Sequence, residues 1–162
     1  MKARRSRLIG APRAEVWRVV SDPYHLARWW PKVTRVESVQ ERKRGRGTLW
    51  TKVLETKAGR SVRADFRCLY AKEPSAYAWE QEIEGSPFAK VLRSSQTRIE
   101  LSEADGGTMV QLEAEQRLRG LSRFGGGFML RRATGAQLDE ALDGLEHAIV
   151  GGEDGRVEGG AA

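Results

Sequence analysis

From Val33 to Arg119 the chain alternates apolar and polar residues with period two, interrupted only by short turn signals, and from about Ser122 the period becomes helical. Period-two alternation puts successive side chains on opposite faces of a strand, so this stretch reads as a series of half-buried antiparallel strands. Val33 to Gln40, Thr48 to Thr56 and Ser61 to Tyr70 are the first three. In the third, Val62, Ala64, Phe66, Cys68 and Tyr70 share one face, with Arg63, Asp65 and Arg67 opposite. Tyr77, Trp79, Gln81 and Ile83 line the next strand. Val91, Arg93, Ser95, Thr97, Ile99 and Leu101 share a face of the following one. Asp105-Gly106-Gly107 is a hairpin signal, and Val110, Leu112, Ala114, Gln116 and Leu118 mark the last strand of the run.

The segments on either side complete the inventory. Ser6 to Gly10 is a short extended piece. Ala11-Pro12 opens a helix, since proline suits a first helical turn whose N–H groups have no intrahelical acceptor. Val16, Val19 and Val20 give that helix its apolar stripe. Ser21-Asp22-Pro23 ends it and caps a second, short helix from about Tyr24 to Trp30, which Pro31 stops. After the strands, Phe124, Phe128, Leu138, Leu142, Leu145 and Ile149 fall on one broad face of a long helix. The Gly125-Gly126-Gly127 run and Gly135 weaken its first part. Residues 151–162 are Gly-rich and acidic and are expected to form a disordered tail beyond a single domain of residues 1–150.

The expected fold class is therefore α+β: a curved antiparallel sheet of about seven strands around one long C-terminal helix, with two short helices between the first and second strands. The apolar face of the sheet must be covered, and only the last helix is long enough to cover it. A curved sheet gripping one helix leaves a concave, largely apolar space of the kind that holds small molecules.

Particular stretches carry a family resemblance. Ile9-Gly10-Ala11-Pro12 with Glu15-Val16-Trp17, Val20-Ser21-Asp22-Pro23 and Trp29-Trp30-Pro31 resemble the opening of the START-like (SRPBCC) superfamily, the helix-grip fold of the major birch-pollen allergen. Trp79-Glu80, Gly85-Ser86-Pro87-Phe88, Gly107-Thr108 and Ala141-Leu142 resemble its bacterial polyketide cyclase/dehydrase branch. The resemblance spans about residues 4 to 150. It implies the helix-grip fold and leaves the activity open among lipid carriers, hormone receptors, cyclases and co-chaperones.

Composition narrows the function further. The 162 residues are 40% hydrophobic, enough for a core, and carry a net charge of +6. The charge is local: 13 of the 28 Lys and Arg residues fall in the first 46 positions, against 4 of the 22 acidic ones. Its two clusters, Lys2 to Arg7 and Arg42 to Arg46, are read as a solvated strand end and a basic hairpin tip, since clustered charge without interleaved aromatics is a poor nucleic-acid signal. Gly45-Arg46-Gly47 is read as a turn and not a phosphate loop. The absence of a long apolar run or leader pattern points to a cytoplasmic protein without integral membrane association. His25 and His147 lack metal-ligand spacing, so neither a metal nor another cofactor is expected. Cys68, on an apolar strand face, is read as a buried inert thiol.

The candidate ligand-binding residues are the aromatic and polar side chains assigned to inward faces, with two from the last helix. They are Trp30, Trp50, Phe66, Tyr70, Trp79, Gln81, Arg93, Ser95, Thr97, Gln116, Phe128 and Leu138. Polar groups on an inward face need a partner, because an unmet buried donor or acceptor costs about 1–3 kcal/mol. A slip of one residue in register would exchange Arg93 for Arg98. The expected partner is a hydrophobic small molecule such as a lipid or polyketide. A polyketide aromatase/cyclase or dehydratase and a co-chaperone-like interaction module are the alternatives, and a homodimer is left open.

Overall fold

A computed structural model describes residues 1–120 and 126–151. The strands are β1 (Lys2–Ile9), β2 (Val33–Gln40), β3 (Leu49–Glu55), β4 (Ser61–Lys72), β5 (Ala76–Glu82), β6 (Leu92–Ala104) and β7 (Gly107–Leu118). The helices are α1 (Arg13–Val20), α2 (Leu26–Trp29) and α3 (Gly127–Ile149), with 3₁₀ turns at Pro23–His25 and Pro87–Lys90. The seven strands form one antiparallel sheet in the order β1-β7-β6-β5-β4-β3-β2. The chain thus meanders from β2 to β7, and β1 closes the far edge against β7. This is the helix-grip arrangement. The start of the long helix before Gly126, and the tail after Gly151, lie outside the described residues.

The strand faces follow the alternation closely. Trp50, Lys52 and Leu54 of β3, Ala64, Phe66 and Cys68 of β4, Tyr77 and Trp79 of β5, Thr97, Ile99 and Leu101 of β6 and Val110, Leu112 and Ala114 of β7 face α3 and the two short helices. The outer face is a lattice of charge. Arg67 pairs with Glu80 and Glu82, Thr51 donates to Asp65 at 2.6 Å, and Arg98 and Arg4 both reach Glu113.

β1 begins four residues before the expected Ser6. Its pattern is hidden because two inward residues are cations: Arg5 and Arg7 stand opposite Leu112 and Val110 and pair with Asp139 and Asp143 of α3. The first basic cluster is therefore a complete strand, half of whose charge ties the sheet edge to the helix. Small residues on α3 make the approach possible. A Cβ at Gly135 would sit 2.4 Å from the Arg5 guanidinium, and one at Gly144 would sit 2.4 Å from the Trp29 carbonyl oxygen. Gly144 thus lets the backbone of α2 rest directly on α3, which holds Trp29 and Trp30 over the sheet.

Four irregularities, two of them in β2, bend the sheet and change its phase. Bulges in β2, between Cys68 and Tyr70 of β4, and between Leu92 and Ser94 of β6 each shift the register. A bulge adds an unpaired residue, raises local twist and inverts which residues face inward beyond it.

Candidate ligand-binding site

The inner face of β3, β4 and β5 carries large rings at matching heights, because Trp50 pairs with Phe66 and Cys68 with Trp79 across the strands. Trp79 is the hub. Its ring centroid lies 5.2 Å from Trp30, 6.0 Å from Tyr77, 6.2 Å from Trp50 and 6.4 Å from Trp29, all edge-to-face. Trp50 stacks on Phe66 at 6.2 Å. Such pairs contribute about 0.5–1.5 kcal/mol each beyond area burial. Trp29 ends α2 and Trp30 follows it, so the cluster joins the sheet to the helical layer.

One cation stands inside this cluster. Lys52 is 2% exposed, and its Nζ lies 4.2 Å from the Phe66 centroid, 4.6 Å from Trp79 and 4.7 Å from Trp30. Its cross-strand partner is Ala64, whose small side chain leaves room for the lysine stem. Among the described residues it has neither an ion pair nor a side-chain hydrogen bond. Burial pulls its pKa down to about 7, because the ammonium form loses its hydration. The ring faces attract a cation and oppose this, but the loss of hydration is the larger effect.

Several buried donors nearby are also unmet. Among the described residues, Trp29 Nε1, Trp50 Nε1 and Gln81 Nε2 have no hydrogen-bond partner, and neither does Gln116 Oε1. Gln81 stands across from Phe66, and Gln116 donates through Nε2 to Ser95 Oγ at 3.4 Å. Thr97 is buried opposite Trp79, and Leu138 of α3 is fully buried in the same core.

Open space lies beside the cluster, not at its centre. A cavity of about 460 Å³ at the ends of β2 to β5 is bordered mainly by outer-face residues, Thr51, Asp65, Arg67 and Glu82 among them, and also touches Trp50 and Phe66. A second, of about 270 Å³, lies between Pro31 and Lys32, Gln116 of β7, and Leu130 and Thr134 of α3. The expectation of a partly hollow core is corrected accordingly: four tryptophans, Phe66 and Lys52 fill the middle.

Of the twelve candidate residues, the structure brings Trp30, Trp50, Phe66, Trp79, Gln81, Ser95, Thr97, Gln116 and Leu138 to the inner side. Three it does not. Tyr70 follows the bulge in β4, pairs with Ala78 and turns outward, where Lys72 Nζ lies 5.3 Å over its ring. Arg93 sits at the bulge in β6 and is exposed, beside Arg119 and Gly120. Phe128, in the first turn of α3, is 77% exposed. Arg98 does not replace Arg93 inside, since it bonds Glu113 on the outer face at 3.2 Å.

Sequence reasoning missed Lys52 and the unmet Trp29 donor. The signal for Lys52 was present: Trp50, Lys52 and Leu54 share one face, so any register that buries Trp50 buries the lysine. Cys68 is buried, and burial raises its pKa, as expected for an unreactive thiol. His25 lies within 3.2 Å of the Arg18 carbonyl oxygen and 3.9 Å of Asp22. No described helix is long and apolar enough to cross a membrane.

Comparison with known proteins agrees with this geometry. No curated protein matches the sequence. Among solved structures, a START superfamily protein from Mycobacterium smegmatis is similar with a TM-score of 0.74 at 15% identity, covering 91% of this chain and 96% of that one. The di-domain ARO/CYC BexL from the BE-7585A biosynthetic pathway gives 0.73 at 16% identity, covering 92% of this chain and 50% of that one. Ara h 8.0201 gives 0.71 at 14% identity, covering 93% and 98%. These likenesses establish the fold. The family described as "Polyketide cyclase / dehydrase and lipid transport" matches residues 1–150, and with the helix-grip sheet, its gripped α3 and its aromatic inner face in view, the chain belongs to that family.

Proposed function

We propose that this domain binds a hydrophobic small molecule, of the lipid or polyketide class, through its inner aromatic cluster, with the ligand's oxygen atoms accepting from Trp29 Nε1, Trp50 Nε1 and Gln81 Nε2. The observation that carries this reading is the set of three buried N–H donors without acceptors among the described residues. Left unmet, each costs about 1–3 kcal/mol, and a ligand carbonyl, carboxylate or hydroxyl removes that cost. The rings supply the apolar contact, and the 270 Å³ cavity between Pro31, Gln116 and α3 lies on the helix side of the sheet. Ser95, Thr97 and Gln116 extend the polar lining toward the second cavity.

Binding is favoured over an acid–base cyclase for one structural reason. The inward residues of β3 to β7 include no carboxylate and no histidine, whereas such catalysis wants a positioned proton acceptor at the ligand.

The test is a titration of tryptophan fluorescence with 1,8-dihydroxyanthraquinone, a flat ligand rich in oxygen acceptors. Saturable quenching that weakens about tenfold in Trp50→Phe together with Gln81→Leu is the expected result. Tenfold is about 1.4 kcal/mol, the scale of one or two hydrogen bonds. Absence of saturable quenching by this ligand or by a long-chain fatty acid, in folded protein, would overturn the reading.

A further inference from the structure

We propose that Lys52 is an imine-forming residue, whose Nζ condenses with the ketone or aldehyde carbonyl of a ligand held at the aromatic cluster. The proposal rests on the binding reading above and adds a chemical class to it: the ligand carries a carbonyl carbon open to attack.

Four observations support it. The lysine is fixed in the body of the sheet, with β2 on one side and β4 on the other. Its stem crosses above Ala64, so Nζ reaches the middle of the cluster rather than its rim. Among the described residues no carboxylate pairs with it, so nothing holds the ammonium form by a direct charge. Finally, Trp29 and Trp50 of the same cluster carry buried indole N–H groups that have no acceptor among the described residues, so an oxygen-bearing ligand at the cluster finds donors beside Nζ. A lysine placed for stability alone would reach water or an acid.

The chemistry follows from the environment. Only the neutral amine has a lone pair to give, and a desolvated lysine supplies it near neutral pH. The lowered pKa of Lys52 accords with that requirement. In the first step the nitrogen adds to the carbonyl carbon, the C–O π bond opens, and the oxygen takes a proton from the nitrogen to give a carbinolamine. In the second, the C–O bond breaks, the oxygen leaves as water with the remaining amine proton, and the C=N bond forms. One water is released and no redox partner is needed. The unmet N–H groups of the same cluster are the donors available to the carbinolamine oxygen. With a 1,3-dicarbonyl ligand the imine shifts to a vinylogous amide, which absorbs in the near ultraviolet.

The chain provides its own control. It has seven lysines, and the other six, Lys2, Lys32, Lys43, Lys57, Lys72 and Lys90, are exposed. The full-length protein is incubated at pH 7.5 with 2,4-pentanedione, the near-ultraviolet band is followed, and modified peptides are mapped by mass spectrometry. The expected result is a single adduct, equal to the diketone less one water, that forms on Lys52 at least tenfold faster than on any other lysine. The band disappears in Lys52→Met. Because the comparison is made within the wild-type chain, a variant that fails to fold does not decide the outcome. Labelling of Lys52 no faster than the exposed lysines would overturn the proposal. If the anthraquinone titration still saturates in that case, imine formation fails while binding stands. If neither occurs, both fail.

Discussion

The two faces of one sheet each bury an ionisable group, and they treat it in opposite ways. On the outer face Glu113 is 6% exposed and ringed by cations: Arg4 Nε at 3.0 Å, Arg98 Nη1 at 3.2 Å and Lys2 Nζ at 3.6 Å. Its carboxyl is held below the usual glutamate range, first by the hydrogen bond from Arg4, against the opposing effect of burial. On the inner face Lys52 is buried more deeply, among rings, with no counter-charge among the described residues. The outer group is satisfied and ties β1, β6 and β7 together. The inner group has no counter-charge among the described residues and stands beside three donors that have no acceptor there. A folded chain tolerates such a cluster at a cost in stability, and that cost marks where a ligand is expected.

The comparison is broken most forcefully by removing what surrounds the lysine. Trp79→Ala takes away the hub ring and is expected to cost about 3–5 kcal/mol in urea unfolding, as large-to-small core changes do, and to abolish anthraquinone quenching. Next comes the satisfied charge. Glu113→Ala is expected to cost about 2–3 kcal/mol, since it removes charge-assisted hydrogen bonds and leaves Arg4 and Arg98 facing each other. Because the folded-state pKa of Glu113 is depressed, its contribution is present above the unfolded value near 4.3. That contribution is lost as pH falls through the folded value. Wild type should therefore approach the variant's stability only in acid.

The inner group should respond with the opposite sign. Lys52→Met keeps the volume and removes a buried amine that has no counter-charge among the described residues, so it is expected to stabilise the protein by about 1–3 kcal/mol at pH 7, while losing reaction with the diketone. An equal loss of stability from both charge removals would refute the contrast. The pH dependence sharpens it. Unfolded Lys52 keeps its proton to about 10.4, whereas the folded protein gives it up above about 7. Between these values the unfolded state binds more protons, so wild-type stability measured against Lys52→Met should rise with pH, by at most about 1.4 kcal/mol per unit. Below pH 7 the difference should be flat. The smallest effect is expected from Gln81→Leu, a gain of up to about 1 kcal/mol from removing an unmet donor, with several-fold weaker anthraquinone binding.

How much of this was legible in the sequence depended on local phase. Alternation from β3 to β7 predicted the sheet and the inward face of seven of the twelve proposed lining residues, because period two assigns a face wherever pairing is regular, and the helical period after it predicted the gripping helix. It failed at Tyr70 and Arg93, where bulges insert one residue, and nothing in Cys68-Leu69-Tyr70 or Leu92-Arg93-Ser94 announces the insertion. Phe128 failed for another reason: it shares a helical stripe with Leu138, but the first turn of α3 leaves it exposed. β1 was read too short because its inward residues are arginines whose partners, Asp139 and Asp143, lie more than 130 positions away. Lys52 was overlooked for the converse reason, since a lysine is ordinarily assigned to the solvent face and only its phase with Trp50 argued otherwise.

Most direct is the titration of Lys52 itself, followed by the NMR shift of its side-chain Cε in the folded, unliganded protein with Lys52→Met to assign the signal. The account predicts a midpoint near 7 for this signal. A midpoint at or above 10 would mean that the inner charge is solvated or paired after all, and would contradict the reading of the inner face as an unmet site.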